Sequence, residues 1–246
     1  MTMLSVVIPV RNGAAFLPRA LASIRGEVTA EYEILVVDDG STDDTAAVAT
    51  ALARDWPIRL IGCDKGSPSG ARNAGVAAAA GDLLAFLDVD DEWMPGRMAE
   101  LSRRIVADPA LDVAYGKVEV IREEPDDPLW SQLFVVEGAA VFPLVGSGLY
   151  RRRAFSVVGP FDEALRFGED TDWFLRACEA GLRMVIIDRP VLRYYLHRSN
   201  MTRNRAAAGL AIATVLRRSL DRRRSGGVVR PLPQPSDFFE RADPAQ

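Results

Sequence analysis

The sequence predicts an α/β fold: a Rossmann-like, mostly parallel central sheet with helices on both faces. Two observations carry this. Over residues 1–110, short and continuously apolar runs alternate with segments of helical periodicity. Strands that are apolar on both sides belong in a parallel sheet covered on both faces. The chain, with 246 residues and 48% hydrophobic content, has enough material for one large domain, or one domain and a small appendage.

The elements follow in order. Leu4–Pro9 is an apolar, β-branched strand, and Phe16–Arg25 a helix with Phe16, Leu17, Leu21 and Ile24 on one side. Glu33–Asp39 is a second strand. Thr42–Arg54 is a second helix, with Ser41 or Thr42 placed to cap it and acids in its first turn. Ile58–Gly62 is a third strand, and Gly70–Gly81 an alanine-rich helix ending at a glycine. Leu83–Asp88 is a fourth strand, and Pro95–Ala107 a fourth helix. The second half is less regular: strand Ala110–Ile121, a charged proline-broken loop from Arg122, and a strand entering a short helix over Val145–Gly159. Helix Phe167–Gly181 follows, with Phe174, Leu175 and Cys178 at core spacing, then strand Leu182–Asp188 and a basic helix, Arg203–Arg224. Residues 1–202 form the main domain in this reading, 203–224 the final helix, and 225–246 a mobile, proline-rich tail.

Composition excludes several classes. The formal charge of −4 argues against a general nucleic-acid binder. The N-terminus lacks the basic and apolar regions of a signal peptide, and no run reaches the roughly 18 apolar residues of a membrane helix. Cys63 and Cys178 lie far apart without zinc spacing, so a reduced, cytoplasmic compartment is expected. Arginines flank the short apolar run Ala206–Leu216. Either this helix packs on the core with an exposed basic end, or it lies on an anionic membrane face.

Ligands of doubly wound sheets bind beyond the carboxyl ends of the strands. Acids cluster there. Asp88 and Asp90, one residue apart at a strand end, suit a hard Mg²⁺ or Mn²⁺ ion that takes its remaining ligands from phosphate and water. The alternative is that Asp90, Asp91 and Glu92 simply precede a helix N-terminus, where acids are favourable. Asp39, after the second strand, suits a nucleoside hydroxyl or a base N–H, as offered by uracil, thymine or guanine but not by adenine N1. Arg72, early in an apolar helix, calls for an anionic partner or for exposure. Glu169 and Asp170 open a helix, and His197 is the sole histidine.

In sequence order, "VVIPVRNGAAFLPRALASI", "EILVVDDGSTDDT", "GARNAGVAAAAGDLLAFLDVDD", "GEDTDWFLRACEAG" and "YYLHRSNMT" resemble the family-two glycosyltransferases of GT-A fold. The resemblance runs from about Leu4 to Met201. It implies that Pro9, Val10, Arg11 and Asn12 line a nucleotide, that Asp39 binds its base, and that Arg72 lies beside it. It assigns Asp88, with Val89, to the ribose side and Asp90 to the metal, joined by His197. Gly146, Ser147 and Gly148, with Glu169, would face the donor sugar, and Asp170 would be the catalytic base of an inverting transfer. The implied partners are a nucleotide-diphosphate-sugar, of uridine or deoxythymidine type in preference, and Mn²⁺ or Mg²⁺. The acceptor stays open among glycan, lipid-linked sugar, small molecule and peptide, and oligomeric state is not legible. The Gln-x-x-Arg-Trp motif and membrane helices of processive members are absent, which favours transfer of one sugar. Arg122–Val145 matches nothing in the family pattern.

Three rivals remain at this level. A sugar nucleotidyltransferase would need a glycine-rich basic loop after the first strand, and "VRNGAAF" is a poor one. A non-catalytic binding module would not need Asp90 and Asp170. A dinucleotide dehydrogenase would carry G-x-G-x-x-G after the first strand, which is missing.

Overall fold

A computed structural model of the chain describes residues 3–28, 31–122, 144–197 and 205–225, with the side chains of the last segment described from residue 210. The order is β1 (Leu4–Val10), α1 (Leu17–Ile24), β2 (Tyr32–Asp39), α2 (Thr45–Leu52), β3 (Ile58–Cys63), α3 (Pro68–Ala78), β4 (Leu83–Phe86), β5 (Glu92–Trp93) and α4 (Arg97–Ala107). Then come β6 (Val113–Arg122), a 3-10 turn (Val145–Ser147), β7 (Gly148–Arg151), α5 (Arg152–Val158), α6 (Glu169–Glu179), β8 (Met184–Leu196) and α7 (Arg205–Ser225). One sheet holds all eight strands in the order β3-β2-β1-β4-β7-β6-β8-β5. β1 pairs parallel with β2 and β4, β2 with β3, and β6 with β8, while β7 runs antiparallel to β4 and β6.

The sheet is wound on both faces because its central strands carry apolar side chains towards both. Successive side chains of a strand point to opposite faces. Val6, Ile8, Ile34 and Val36 therefore join Leu17, Leu21, Leu101 and Ile105 in one buried layer. Val7, Leu35, Val37 and Phe86 join Ala71, Phe155, Trp173 and Ala177 in the other.

Several expected boundaries move, each for a local reason. α2 starts at Thr45 with no acid in its first turn, and neither Ser41 nor Thr42 caps it. Both are engaged by Asn12 instead. α3 starts at Pro68 behind an Ser67 N-cap, whose hydroxyl accepts from the Gly70 amide, and it ends before Gly81. Gly81 is there for close approach: a Cβ would lie 2.7 Å from the Met3 carbonyl and the Ser5 amide. β4 stops at Phe86; the Leu87 amide still donates to the Val7 carbonyl at 3.1 Å, and Asp88 lies beyond the strand. β8 extends through Leu196, well past Asp188, and crosses Pro190 with register shifts opposite Lys117. In α6 the core is centred on Trp173 and Ala177, while Phe174 and Cys178 are only partly buried.

α7 packs on α6. Val215 is buried with Leu165 and Leu175, Ser219 donates to Glu179, and Arg222 pairs with Asp172 and Glu179. Its opposite side exposes Leu210, Leu216 and Leu220. No described helix is long and apolar enough to cross a membrane. The charged loop after β6, the expected tail and the start of the basic helix before residue 205 lie outside the described residues.

Candidate functional site

β1 lies between β2 and β4, so their carboxyl ends sit side by side where the strand order reverses. Such switch points are the ligand crevices of doubly wound sheets. Pro9 and Val10 end β1 as buried residues, whereas Arg11 and Asn12 are exposed on its lip. Asn12 has a left-handed backbone, φ 55°. Its side-chain oxygen accepts from the Thr42 amide at 2.8 Å. The amides of Asn12, Gly13 and Ala14 donate to Ser41 Oγ, Thr45 Oγ1 and Asp43 Oδ2. The loop after β1 is thereby stitched to the loop after β2, and its amides are spent. Val89 packs from the β4 side on the core and faces Gly13.

Asp39 ends β2 at 5% exposure. Its Oδ1 accepts from the Lys65 amide at 2.6 Å, the Gly66 amide at 3.0 Å and the Cys63 thiol at 3.3 Å. Burial raises its pKa, but these donors together hold it below the usual carboxylate range. The carboxylate is thus kept ionised, and all three bonds fall on one oxygen. Oδ2 takes none of these three; the Ser67 amide also stabilises the carboxylate, and a carboxylate oxygen has a second lone pair for a further N–H group. The same contact pushes the Cys63 thiol up to about 11, burial first and Asp39 second.

The four acids after β4 do not form the start of a helix. α4 begins only at Arg97, and the carboxylate that serves its N-terminus comes from Glu27, which accepts from the Gly96 and Met98 amides. Each acid of the cluster has its own partner. Asp88 takes a two-point bond from Arg72, at 2.7 and 2.9 Å. Asp90 accepts from His197 Nε2 at 3.0 Å. Buried Asp91 accepts from the Tyr195 amide, and Glu92 pairs with Arg19 at 3.1 Å. Arg19 also donates to the Asp90 carbonyl and lies over the Tyr195 ring. The like-charge repulsion of the sequence is thus dispersed over four separate contacts. It is not eliminated: burial and then Asp88 push the Asp90 pKa up, and Asp91 rises well above its usual range by burial and its acidic neighbours.

Arg72 joins this strand end to α6. It sits in the second turn of α3, is 4% exposed, and also pairs with Glu169 at 2.7 Å. Its anionic partners are therefore the protein's own carboxylates, and exposure is ruled out. Burial lowers its pKa, but Asp88 and Glu169 beside it outweigh that, so it stays charged. Glu169 opens α6 behind Gly168, whose left-handed backbone turns the chain in. Asp170 follows. Its Oδ1 accepts from the Thr171 amide at 2.9 Å, and it has no cation of its own within bonding distance among the described residues. Desolvation, and then the Glu169 charge, push its pKa up to about 7, with Arg72 acting against them. Glu169 is thus tied to the Arg72 guanidinium, beside an acid that titrates near neutrality, the range in which catalytic acids and bases work.

Gly146 and Ser147 lie in the 3-10 turn and Gly148 starts β7, all buried against the end of β4. The Gly146 and Gly148 carbonyls accept from Arg97, a residue that no sequence signal marked. His197 is ringed by Phe16, which stacks on it at 5.6 Å rather than joining the buried face of α1.

The residues present fit a divalent ion. Asp90 and His197 supply one oxygen and one nitrogen within 3.0 Å of each other, bridged by a proton that a metal would replace. Among the described residues no three acids, cysteines or histidines converge on a metal site. An ion held here by two protein ligands would need a diphosphate and water to complete its shell, as Mg²⁺ and its relatives commonly do.

The chain is 34% identical over 208 residues to succinoglycan biosynthesis protein ExoU of Rhizobium meliloti, covering 76% of this chain and 60% of that protein. It is 32% identical over 187 residues to a PGL/p-HBAD biosynthesis glycosyltransferase of Mycobacterium bovis, covering 71% and 69%. The chain thus spans about two thirds or less of these relatives. In fold it matches S. aureus TarS in complex with UDP-GlcNAc (TM-score 0.70, 19% identity, 88% of this chain and 65% of that one). It also matches the mannosyltransferase PcManGT of Pyrobaculum calidifontis in complex with GDP-Man and Mn²⁺ (TM-score 0.67, 20% identity, 94% and 66%). These matches establish the GT-A architecture expected from the sequence. Residues 5–169 match the model of glycosyl transferase family 2, and the chain belongs to that family.

Proposed function

We propose that the protein transfers a single sugar from a nucleotide-diphosphate-sugar to an acceptor hydroxyl, with inversion at the sugar carbon. The observation that carries this is Arg72. By bridging Asp88 and Glu169, it brings the acid cluster after β4 and the titrating Asp170 to one point at the switch of strand order. Asp39 would hold the base through Oδ2, which favours uracil or thymine. Pro9–Asn12 and Val89 would flank the nucleoside, and Asp88 the ribose. Asp90 and His197 would hold Mn²⁺ or Mg²⁺. Such an ion, when bound, supplies positive charge for the departing diphosphate.

Asp170 acts on the acceptor. As the hydroxyl oxygen bonds to the sugar carbon, the bond from that carbon to the diphosphate oxygen breaks, and the hydroxyl proton passes to the Asp170 carboxylate. The carbon is attacked from the face opposite the leaving group, through an oxocarbenium-like state. A carboxylate with its pKa near 7 is a far better proton acceptor than one near 4 and is still half ionised at neutral pH.

The loop after β1 argues against a nucleotidyltransferase. Its amides are bound to Ser41, Thr45 and Asp43 and cannot cradle a triphosphate. The exposed leucines and outward arginines of α7 are compatible with peripheral contact to an anionic membrane that carries a lipid-linked acceptor.

The test is a thermal-shift panel of nucleotide-sugars and nucleotide diphosphates with and without Mn²⁺, followed by mass-spectrometric detection of nucleotide diphosphate release. A ligand at about 100 times its Kd stabilises the fold by roughly 2.7 kcal/mol, enough to rank donors. No shift and no turnover with any nucleotide-sugar overturns the reading.

A further inference from the structure

We infer that Arg97 is a positioning residue that holds the Gly146–Ser147–Gly148 segment in shape and thereby sets affinity for the sugar half of the donor without touching it. The inference rests on the reading of that segment as the donor-sugar side of the site.

Arg97 has no exposed surface, and among the described residues it pairs with no carboxylate. Its guanidinium is spent on backbone. One terminal nitrogen donates to the Gly146 carbonyl at 2.6 Å, with a longer approach of 3.5 Å to the Val191 carbonyl in β8. The other donates to the Gly148 carbonyl at 2.8 Å. The two short bonds straddle Ser147, so the planar fork spans the change from 3-10 turn to strand. The guanidinium lies 4.4 Å from the Trp93 ring centre, and Trp93 Nε1 donates to the Phe86 carbonyl at 3.3 Å. Phe86 ends β4, two residues before Asp88. One guanidinium thus ties together the Gly146–Gly148 backbone, β8 on its way to His197, and, through Trp93, the root of the acid cluster.

Burial of an unpaired guanidinium is costly. An aliphatic side chain would fill the same space more cheaply if packing were the only requirement. What an aliphatic chain cannot do is satisfy two carbonyls a fixed distance apart. Lysine has the charge but offers one point of contact, where arginine offers a rigid fork. Glycine is required at the strand end of this segment, since a Cβ at Gly148 would stand 2.6 Å from the Tyr150 ring, so no side chain of its own anchors it there. Losing one prong releases one carbonyl and lets the turn drift relative to Asp88.

Arg97→Lys and Arg97→Gln test this, with uridine diphosphate and the best-bound uridine-diphosphate-sugar of the panel titrated calorimetrically in Mn²⁺. The expected result is unchanged affinity for uridine diphosphate and about tenfold weaker affinity for the nucleotide-sugar, the scale of one misplaced charged hydrogen bond. A purely structural role would lower the melting temperature and leave the ratio of the two affinities at the wild-type value, which overturns the inference. Should both variants fail to fold, Trp93→Phe decides. It keeps an aromatic ring beside the guanidinium, removes the bond to Phe86 together with some buried volume, and should shift the same ratio in the same direction by less, whereas the lost volume alone lowers only the melting temperature; an unchanged ratio there also refutes the role. A wild-type protein that binds neither compound defeats the donor reading itself, an outcome visible before any variant is made.

Discussion

Asp170→Asn separates binding, chemistry and stability in one substitution. The amide is nearly isosteric with the carboxylate, and its oxygen can keep the bond from the Thr171 amide. The Arg72 pairs with Asp88 and Glu169 do not involve Asp170, so donor affinity should not change. Loss of a positioned base should lower transfer by about 10²–10⁴-fold, and the loss should appear in kcat, because the proton moves only in the transition state. The wild type should gain activity as pH rises through about 7, where Asp170 ionises, and the variant should lack that limb. Stability should move the other way. The folded pKa lies above the ordinary carboxylate value, so the folded state binds the proton more tightly than the unfolded chain. Its cost to the fold is absent below about pH 4, grows as pH rises towards 7, and is complete above it. Three units at about 1.4 kcal/mol each set an upper limit near ~4 kcal/mol. Asp170 is only partly buried, and solvent screening leaves about 1–2 kcal/mol. At about 2–4 °C per kcal/mol, the variant should melt a few degrees higher at pH 8 and equal the wild type near pH 4. The assays are initial-rate kinetics and thermal melts across pH. Near wild-type transfer by the variant would show that Asp170 is only a helix-start acid. No neighbour is ready to replace it, since Glu169 is paired with Arg72 and buried Asp172 with Arg176 and Arg222.

Asp90→Ala should abolish the Mn²⁺ dependence of nucleotide-diphosphate binding in calorimetry, and an unchanged metal effect would reassign the ligand. Uridine or deoxythymidine diphosphate should compete for the donor site better than adenosine diphosphate, because Asp39 Oδ2 needs an N–H; tighter adenosine binding would exclude that role. Flotation with liposomes of anionic lipid should recover the protein at low salt and release it at high salt if the Leu210, Leu216 and Leu220 face of α7 meets a membrane. Flotation independent of lipid charge, or none, rules that contact out.

Much of the frame was readable from local pattern. Continuous apolar runs of four to eight residues, rich in β-branched side chains and set between amphipathic segments, fit buried parallel strands better than helices, which need greater length. The carboxyl ends of those strands then name Asp39, Asp88 and Asp90 as neighbours before any coordinates exist. The boundaries that moved were those where a side chain serves a distant element. Ser41 and Thr42 look like helix caps but bind the Asn12 loop 29 and 30 residues away. Gly81 reads as a helix stop but makes room for the backbone of β1.

The tertiary structure alone decided how the charges are shared. Arg72 meets partners 16 and 97 residues away, and His197 reaches Asp90 across 107. Asp170 owes its raised pKa to burial beside Glu169, against Arg72. Arg97 has the sequence signature of an exposed arginine at a helix start, yet it is the most deeply buried cation described. The physical reason is the same in each case. Periodicity and turn chemistry act over a few residues and so are written locally. Electrostatic pairing and desolvation depend on which segments the fold packs together, and no local pattern encodes that.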